Sequence, residues 1–154
     1  KNIEAGEGIV VHSGLRNVVL RDVTIGDNCL IENVSNYISR YDIGEECYIS
    51  GIGKIASTGG ATFGQGETIA VLNEAGRGNV KLFEGLTSQL AAFMVRHHAD
   101  RELIAALFAL IERRIAARKT ERGVIGYRVK IVNTKEIVDT NISDDCEING
   151  ASCL

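Results

Sequence analysis

Three histidines, one polar turn and one arginine cluster are the residues of this chain whose types suit chemistry. An imidazole titrates near neutral pH and acts as a general base when a second group orients it. His12, His97 and His98 are the three present. His12 is a candidate base, although no motif surrounds it and a surface position is the plainer reading. His97 and His98 stand near Asp100, a grouping that invites a metal. Adjacent helical residues point about 100 degrees apart, however, so a shared ion is disfavoured and no metal site is expected. Asn73, Glu74 and Arg77 share a turn, where Glu74 offers an acid or base and Arg77 an anion clamp. Sites often occupy turns held by strands, and the same composition also suits an ordinary solvated turn. Arg113, Arg114, Arg118, Lys119 and Arg122 offer charge to a phosphate or to an acidic partner, or simply form a solvated helix face. Gly59-Gly60 and Gly64-Gln65-Gly66 lack the Gly-Lys-Ser/Thr of a phosphate loop.

The 154 residues are enough for one domain with a real core. Hydrophobic residues make up 45% and charged residues 24%, which excludes disorder. The net charge of -3 is unevenly distributed, because residues 96–130 carry +5 and the remainder -8. Aromatic residues are only 5% and none interleaves with the basic cluster, so nucleic-acid binding is not expected. The longest mainly apolar run, Leu103 to Ile111, is too short to cross a bilayer. Cys29, Cys47, Cys146 and Cys153 form no CxxC pair, which argues for free thiols and a cytoplasmic location.

The elements that must position these groups are set by a repeat. Val19, Ile25, Ile31, Tyr37, Ile43, Ile49 and Ile55 recur six residues apart; Ile125, Ile131 and Ile137 resume the spacing, and Ile142, Ile148 and Leu154 follow after a slip of one residue. Period six is foreign to a helix, but it suits short strands joined by tight corners. Small residues stand two before most anchors, among them Cys29, Cys47 and Cys146, where a thiol acts as a small hydrophobe. Turn formers such as Gly26-Asp27-Asn28 and Asn149-Gly150 fill the corners.

The pattern in Ile25-Gly26-Asp27-Asn28-Cys29 and Ile43-Gly44-Glu45-Glu46-Cys47 resembles the left-handed parallel β-helix of hexapeptide-repeat transferases. Tyr37 to Gly44 (YISRYDIG) with Val71 to Gly76 (VLNEAG) is also similar to a family of long, uncharacterised bacterial hexapeptide-repeat proteins. The resemblance implies a mainly β fold with left-handed coils, a homo-oligomer (trimer or dimer), and acyl-CoA or a sugar nucleotide as donor. The expected layout is β-helix over residues 1–56, an insertion over 57–123, and resumed coils over 124–154. The insertion reads as a glycine-rich loop, a short hairpin and two helices near 87–97 and 100–122. Thr87 and Asp100 serve as caps and Gly123 as a left-handed stop. The first half of the second helix is apolar nearly all round, which implies burial on more than one side. Because the pattern runs to Leu154 itself, the chain reads as a fragment of a longer protein.

Two functions from different classes follow. The first is a transferase moving an acyl or nucleotidyl group to a sugar or sugar phosphate, with His12 and Glu74 as catalytic candidates and Asn73, Arg77, Arg113 and Arg114 as binding candidates. The second is a non-catalytic scaffold whose helical insertion binds a partner, for which an exposed apolar surface on the insertion and no small-molecule binding are expected.

Overall fold

The structure, a computed structural model, describes residues 2–6, 8–70, 78–117 and 120–154 in full and residue 118 by its backbone. Two compact units emerge, one of Lys1–Ala61 with Thr120–Leu154 and one of Thr62–Lys119. In chain order the first unit supplies β1 (Asn2–Gly6), β2 (Ile9–His12), β3 (Gly14–Arg16), β4 (Leu20–Ile25), β5 (Leu30–Val34), β6 (Ile38–Ile43), β7 (Tyr48–Ile52) and β8 (Lys54–Ala56). The second supplies β9 (Thr68–Ala70), β10 (Asn79–Lys81), α1 (Ser88–Arg96) and α2 (Arg101–Arg118). The first resumes with β11 (Gly123–Ile125), β12 (Lys130–Val132), β13 (Glu136–Val138) and β14 (Glu147–Asn149).

The strands form several separate sheets, parallel and antiparallel, and this corrects the expectation of a single left-handed parallel β-helix. β1 and β2 make an antiparallel hairpin, and β9 and β10 make another. Two five-stranded parallel sheets build the body of the first unit, one in the order β14-β12-β7-β5-β3 and one in which β11, β6, β8 and β13 follow each other and β4 also pairs β6. The physical reason lies in the register. A strict six-residue repeat demands partners eighteen apart, as between Leu30 and Tyr48, yet Gly14 pairs with Leu30 and Lys130 with Glu147. β1 and β2 turn back on each other instead of joining this stacking, and three of the expected anchors point outward. Val19 is 62%, Leu154 43% and Tyr37 36% exposed, while Ile38 beside Tyr37 is fully buried.

Left-handed corners stay level in the ladder despite these slips. Asn17, Asn33, Gly51, Asn133 and Gly150 all have φ between 49° and 73° and lie level with one another across the β3, β5, β7, β12 and β14 register. Asn28, Glu46, Arg128 and Asp145 form a second such set, with φ between 53° and 59°. Asn, Asp and Gly tolerate this conformation because a short polar side chain or no side chain relieves the clash. Neighbouring corners also bond: Asn17 Nδ2 donates to Asn33 Oδ1 at 3.4 Å.

Between the two parallel sheets lies one apolar core holding Ile31, Ile49 and Ile131 from one sheet and Ile43, Ile55, Ile125 and Ile137 from the other. Each such isoleucine contributes about 2 to 3 kcal/mol by burial. Tyr41 is the largest fully buried side chain of this core. Its hydroxyl donates to the Thr140 carbonyl at 2.8 Å and accepts from the Thr140 amide at 3.2 Å, so the one polar atom that burial would strand is satisfied. Burial holds this phenol above its ordinary range, even though the Thr140 backbone bond works the other way. Gly123 is not the left-handed helix stop expected; it opens β11 against the Tyr41 ring, where a Cβ would come within 2.3 Å of Cζ.

The second unit is held by Val80, Met94, Ile111 and Ile115, flanked by half-buried residues such as Leu90, Ile104, Leu107 and Phe108. Thr87 Oγ1 accepts from the Leu90 amide at 3.2 Å, and Asp100 Oδ1 accepts from the Leu103 amide at 3.0 Å. Both caps satisfy donors that a helix start leaves open. α2 ends at Arg118, four residues short of the expected Arg122.

Candidate functional site

Of the groups singled out by residue type, those among the described residues fall in different units. His12 ends β2 and is exposed. Asn73, Glu74 and Arg77 lie outside the described residues. Arg113 and Arg114 are exposed on α2. The His97 ring packs on Phe93 with centroids 4.4 Å apart, whereas the His98 ring nitrogen Nδ1 reaches the Val95 carbonyl at 2.8 Å; the two imidazoles serve different neighbours. Among the described residues no group of three His, Cys, Asp or Glu side chains is placed to hold a metal ion.

Arg122 was read with the basic helix end, yet it folds onto the first unit. Its Nε and Nη2 donate to Asp42 Oδ1 at 3.0 and 2.6 Å, and Nη2 also meets the Tyr41 carbonyl and Thr24 Oγ1, each at 3.1 Å. These bonds from Arg122, joined by the Thr24 hydroxyl, hold the Asp42 carboxyl below its usual range.

The described residues present two surfaces with functional character. The first is the outer face of α2. Ile104, Leu107, Phe108, Ile111 and Ile115 recur at helical spacing and turn into the unit's own core. The opposite side carries Leu103, 37% exposed, and Leu110, 59% exposed, with Ala105, Ala106, Ala109, Ala116 and Ala117 exposed around them. The expectation that this apolar helix is buried on more than one side thus meets a helix packed on one side within its unit. Phe93 of α1 is also 38% exposed.

The second surface is on the first unit, where the start of the glycine-rich segment is tied to β13. The Asp139 carboxylate accepts from the Ser57 hydroxyl at 3.1 Å, the Thr58 amide at 2.8 Å and the Thr58 hydroxyl at 2.5 Å. Partial burial pushes its pKa up, but the Thr58 and Ser57 donors outweigh that and hold the carboxyl below its ordinary value. Arg40 Nη1 donates to the Thr58 carbonyl at 3.0 Å. A cavity of about 630 Å³ opens beside this strap. Sequence reasoning missed it because Thr58 and Asp139 are 81 residues apart, and nothing in either segment names its partner.

No helix among the described residues is long and apolar enough to cross a membrane. Comparison with known proteins gives no support for hexapeptide repeats or a transferase, so the resemblance to hexapeptide-repeat proteins is withdrawn and the transfer activity it implied loses its footing. An "Uncharacterized protein" of Treponema pallidum (strain Nichols) is 28% identical over 156 residues, a match covering 94% of this chain and 21% of the relative. The chain therefore spans about a fifth of that relative's length. No solved structure matches. Residues 1–154 match the family described as a domain of unknown function, DUF4954, and the chain belongs to that family.

Proposed function

We propose that this chain is a non-catalytic assembly module in which the outer face of α2 pairs with α2 of a second copy. The observation that carries the reading is the exposed series Leu103, Ala106 and Leu110, spaced three and four residues apart as in a helix-pairing seam. Alanines let two helix backbones approach closely, and each leucine removed from water adds about 1.5 to 3 kcal/mol. Antiparallel pairing sets Leu103 of one copy against Leu110 of the other and brings Arg113 level with Asp100, opposite charges in favourable register. The first unit, with its continuous core, then acts as the rigid body that the helices join. A reducing, cytoplasmic setting belongs to the same reading, since all four cysteines are free thiols.

Analytical ultracentrifugation of the chain across a concentration series tests it. A reversible dimer is expected, and Leu103→Glu with Leu110→Glu should leave monomer with the helix content intact. A monomer at all concentrations, or a dimer untouched by the double substitution, contradicts the reading.

A further inference from the structure

The cavity beside Arg40 is not used by helix pairing, and its chemistry is specific. Register places Arg21 beside Ser39 and Ser39 beside Ala56, so their outward side chains form one row of the sheet. Tyr37 and Lys54 come next, just before the paired Ile38 and Ile55. Arg21, Tyr37, Ser39, Arg40, Lys54 and Ser57 all line the cavity of about 630 Å³.

Its charge is unbalanced. Lys54 is neutralised by Glu136, and the Asp139 carboxylate, which accepts from the neutral donors of Ser57 and Thr58, keeps one negative charge against the two positive charges of Arg21 and Arg40. Arg21 and Arg40 have no carboxylate within ion-pair distance among the described residues. Another cavity of the same unit differs, for there Arg128 holds Asp145 through two bonds of 2.6 and 2.8 Å and Lys130 pairs with Glu147 at 3.3 Å.

Arg40 is also held in place. Its backbone takes φ 55°, a conformation that costs a long side chain about 1 kcal/mol or more. Its guanidinium is bonded to the Thr58 carbonyl and packed against Gly59, where a Cβ would stand 2.7 Å from Nη1. Only one of its five N–H donors is spent on Thr58, which leaves a fork suited to phosphate oxygens. The exposed side chains of Val19 and Tyr37 supply an apolar wall beside the cations.

We propose that this cavity binds a small organic phosphomonoester, with the phosphate between Arg21 and Arg40 and the organic part against Tyr37 and Val19. Two unpaired guanidinium groups match a dianion, and the Ser39 and Tyr37 hydroxyls add donors to its remaining oxygens. No bond is made or broken, so the site equips a scaffold with a ligand rather than with a reaction. It departs from the expectation that a scaffold binds no small molecule.

Isothermal titration of the chain with phenyl phosphate and with inorganic phosphate tests the site. Saturable one-site binding is expected, tighter for phenyl phosphate, with Arg21→Gln loosening both at least about tenfold. The Arg21 side chain makes no hydrogen bond or ion pair to a described residue, so its replacement probes the ligand without disturbing the fold; Arg40→Gln should act likewise, with circular dichroism checking its folding. Leu103→Glu with Leu110→Glu should leave the affinity unchanged, which separates this site from the pairing of α2. Absence of saturation, equal affinity for the two probes, or undiminished binding by Arg21→Gln overturns the proposal.

Discussion

The two units solve the same problem with unequal means. The first surrounds fifteen buried core residues between two parallel sheets, whereas the described residues of the shorter second unit gather four. Apolar surface that a small unit cannot cover by itself must be met by something else. Leu103, Leu110 and Phe93 are that surplus. The first unit exposes large apolar side chains as well, Ile9, Val10, Leu15 and Val19 among them, so the contrast rests on the size of its closed core and on the helical spacing of the leucines that the second unit leaves open.

The largest way to break this contrast is in the closed core. Ile131 is fully buried between Ile49 and Ile148 in the ladder, and Ile131→Ala should cost about 3 to 4 kcal/mol by removing contacts that backbone ladders prevent from collapsing; urea unfolding followed by circular dichroism reads it. Tyr41→Phe should cost about 1 to 2 kcal/mol in the same assay, because the Thr140 amide and carbonyl lose their partner inside the core. In the second unit, Thr87→Ala should cost about 1 kcal/mol. Its effect should appear as faster amide exchange confined to α1, with the first unit unchanged.

Much of the closed core was legible in the sequence. Ile31, Ile43, Ile49, Ile55, Ile125, Ile131 and Ile137 were marked by spacing alone and are buried, because a residue that must face inward leaves its chemistry at a regular interval. Val19 and Tyr37 carry the same interval and face solvent. The ladder steps sixteen residues from Gly14 to Leu30 and eighteen from Leu30 to Tyr48, and a periodicity count has no access to which residues pair. The resemblance to a single coil failed for that reason, since it treated the interval as the architecture.

The candidate sites were less legible. The apolar run from Leu103 to Ile111 was visible, but which side of it stays open depends on where Val80 and Met94 pack. Arg122 belonged by charge to the helix end and by contact to Asp42, 80 residues away. The ring of Arg21, Arg40 and Lys54 is assembled by sheet register, and no local motif announces it. His12 and the Arg113–Arg114 pair were chosen by residue type, a weaker guide than partnership.

A smaller effect distinguishes the units by pH. Asp42, Asp139 and Asp145 all have folded pKa values below the ordinary 3.8, through Arg122, the Thr58 and Ser57 donors, and Arg128 respectively. A depressed carboxylate contributes stability that is present above its unfolded pKa and is lost as pH falls through the folded value. All three lie in the first unit, so acid should erode that unit below about pH 4, and Asp139→Asn should flatten part of the decline.

Hydrogen exchange measured by mass spectrometry at about 1 µM and about 100 µM protein tests the central contrast most directly, since association protects only the surface it covers. Protection of α2 is predicted to rise with concentration while β5, β7 and β12 exchange at a constant slow rate. Exchange of α2 that ignores concentration, or a concentration effect spread equally over the parallel sheets, would contradict the account.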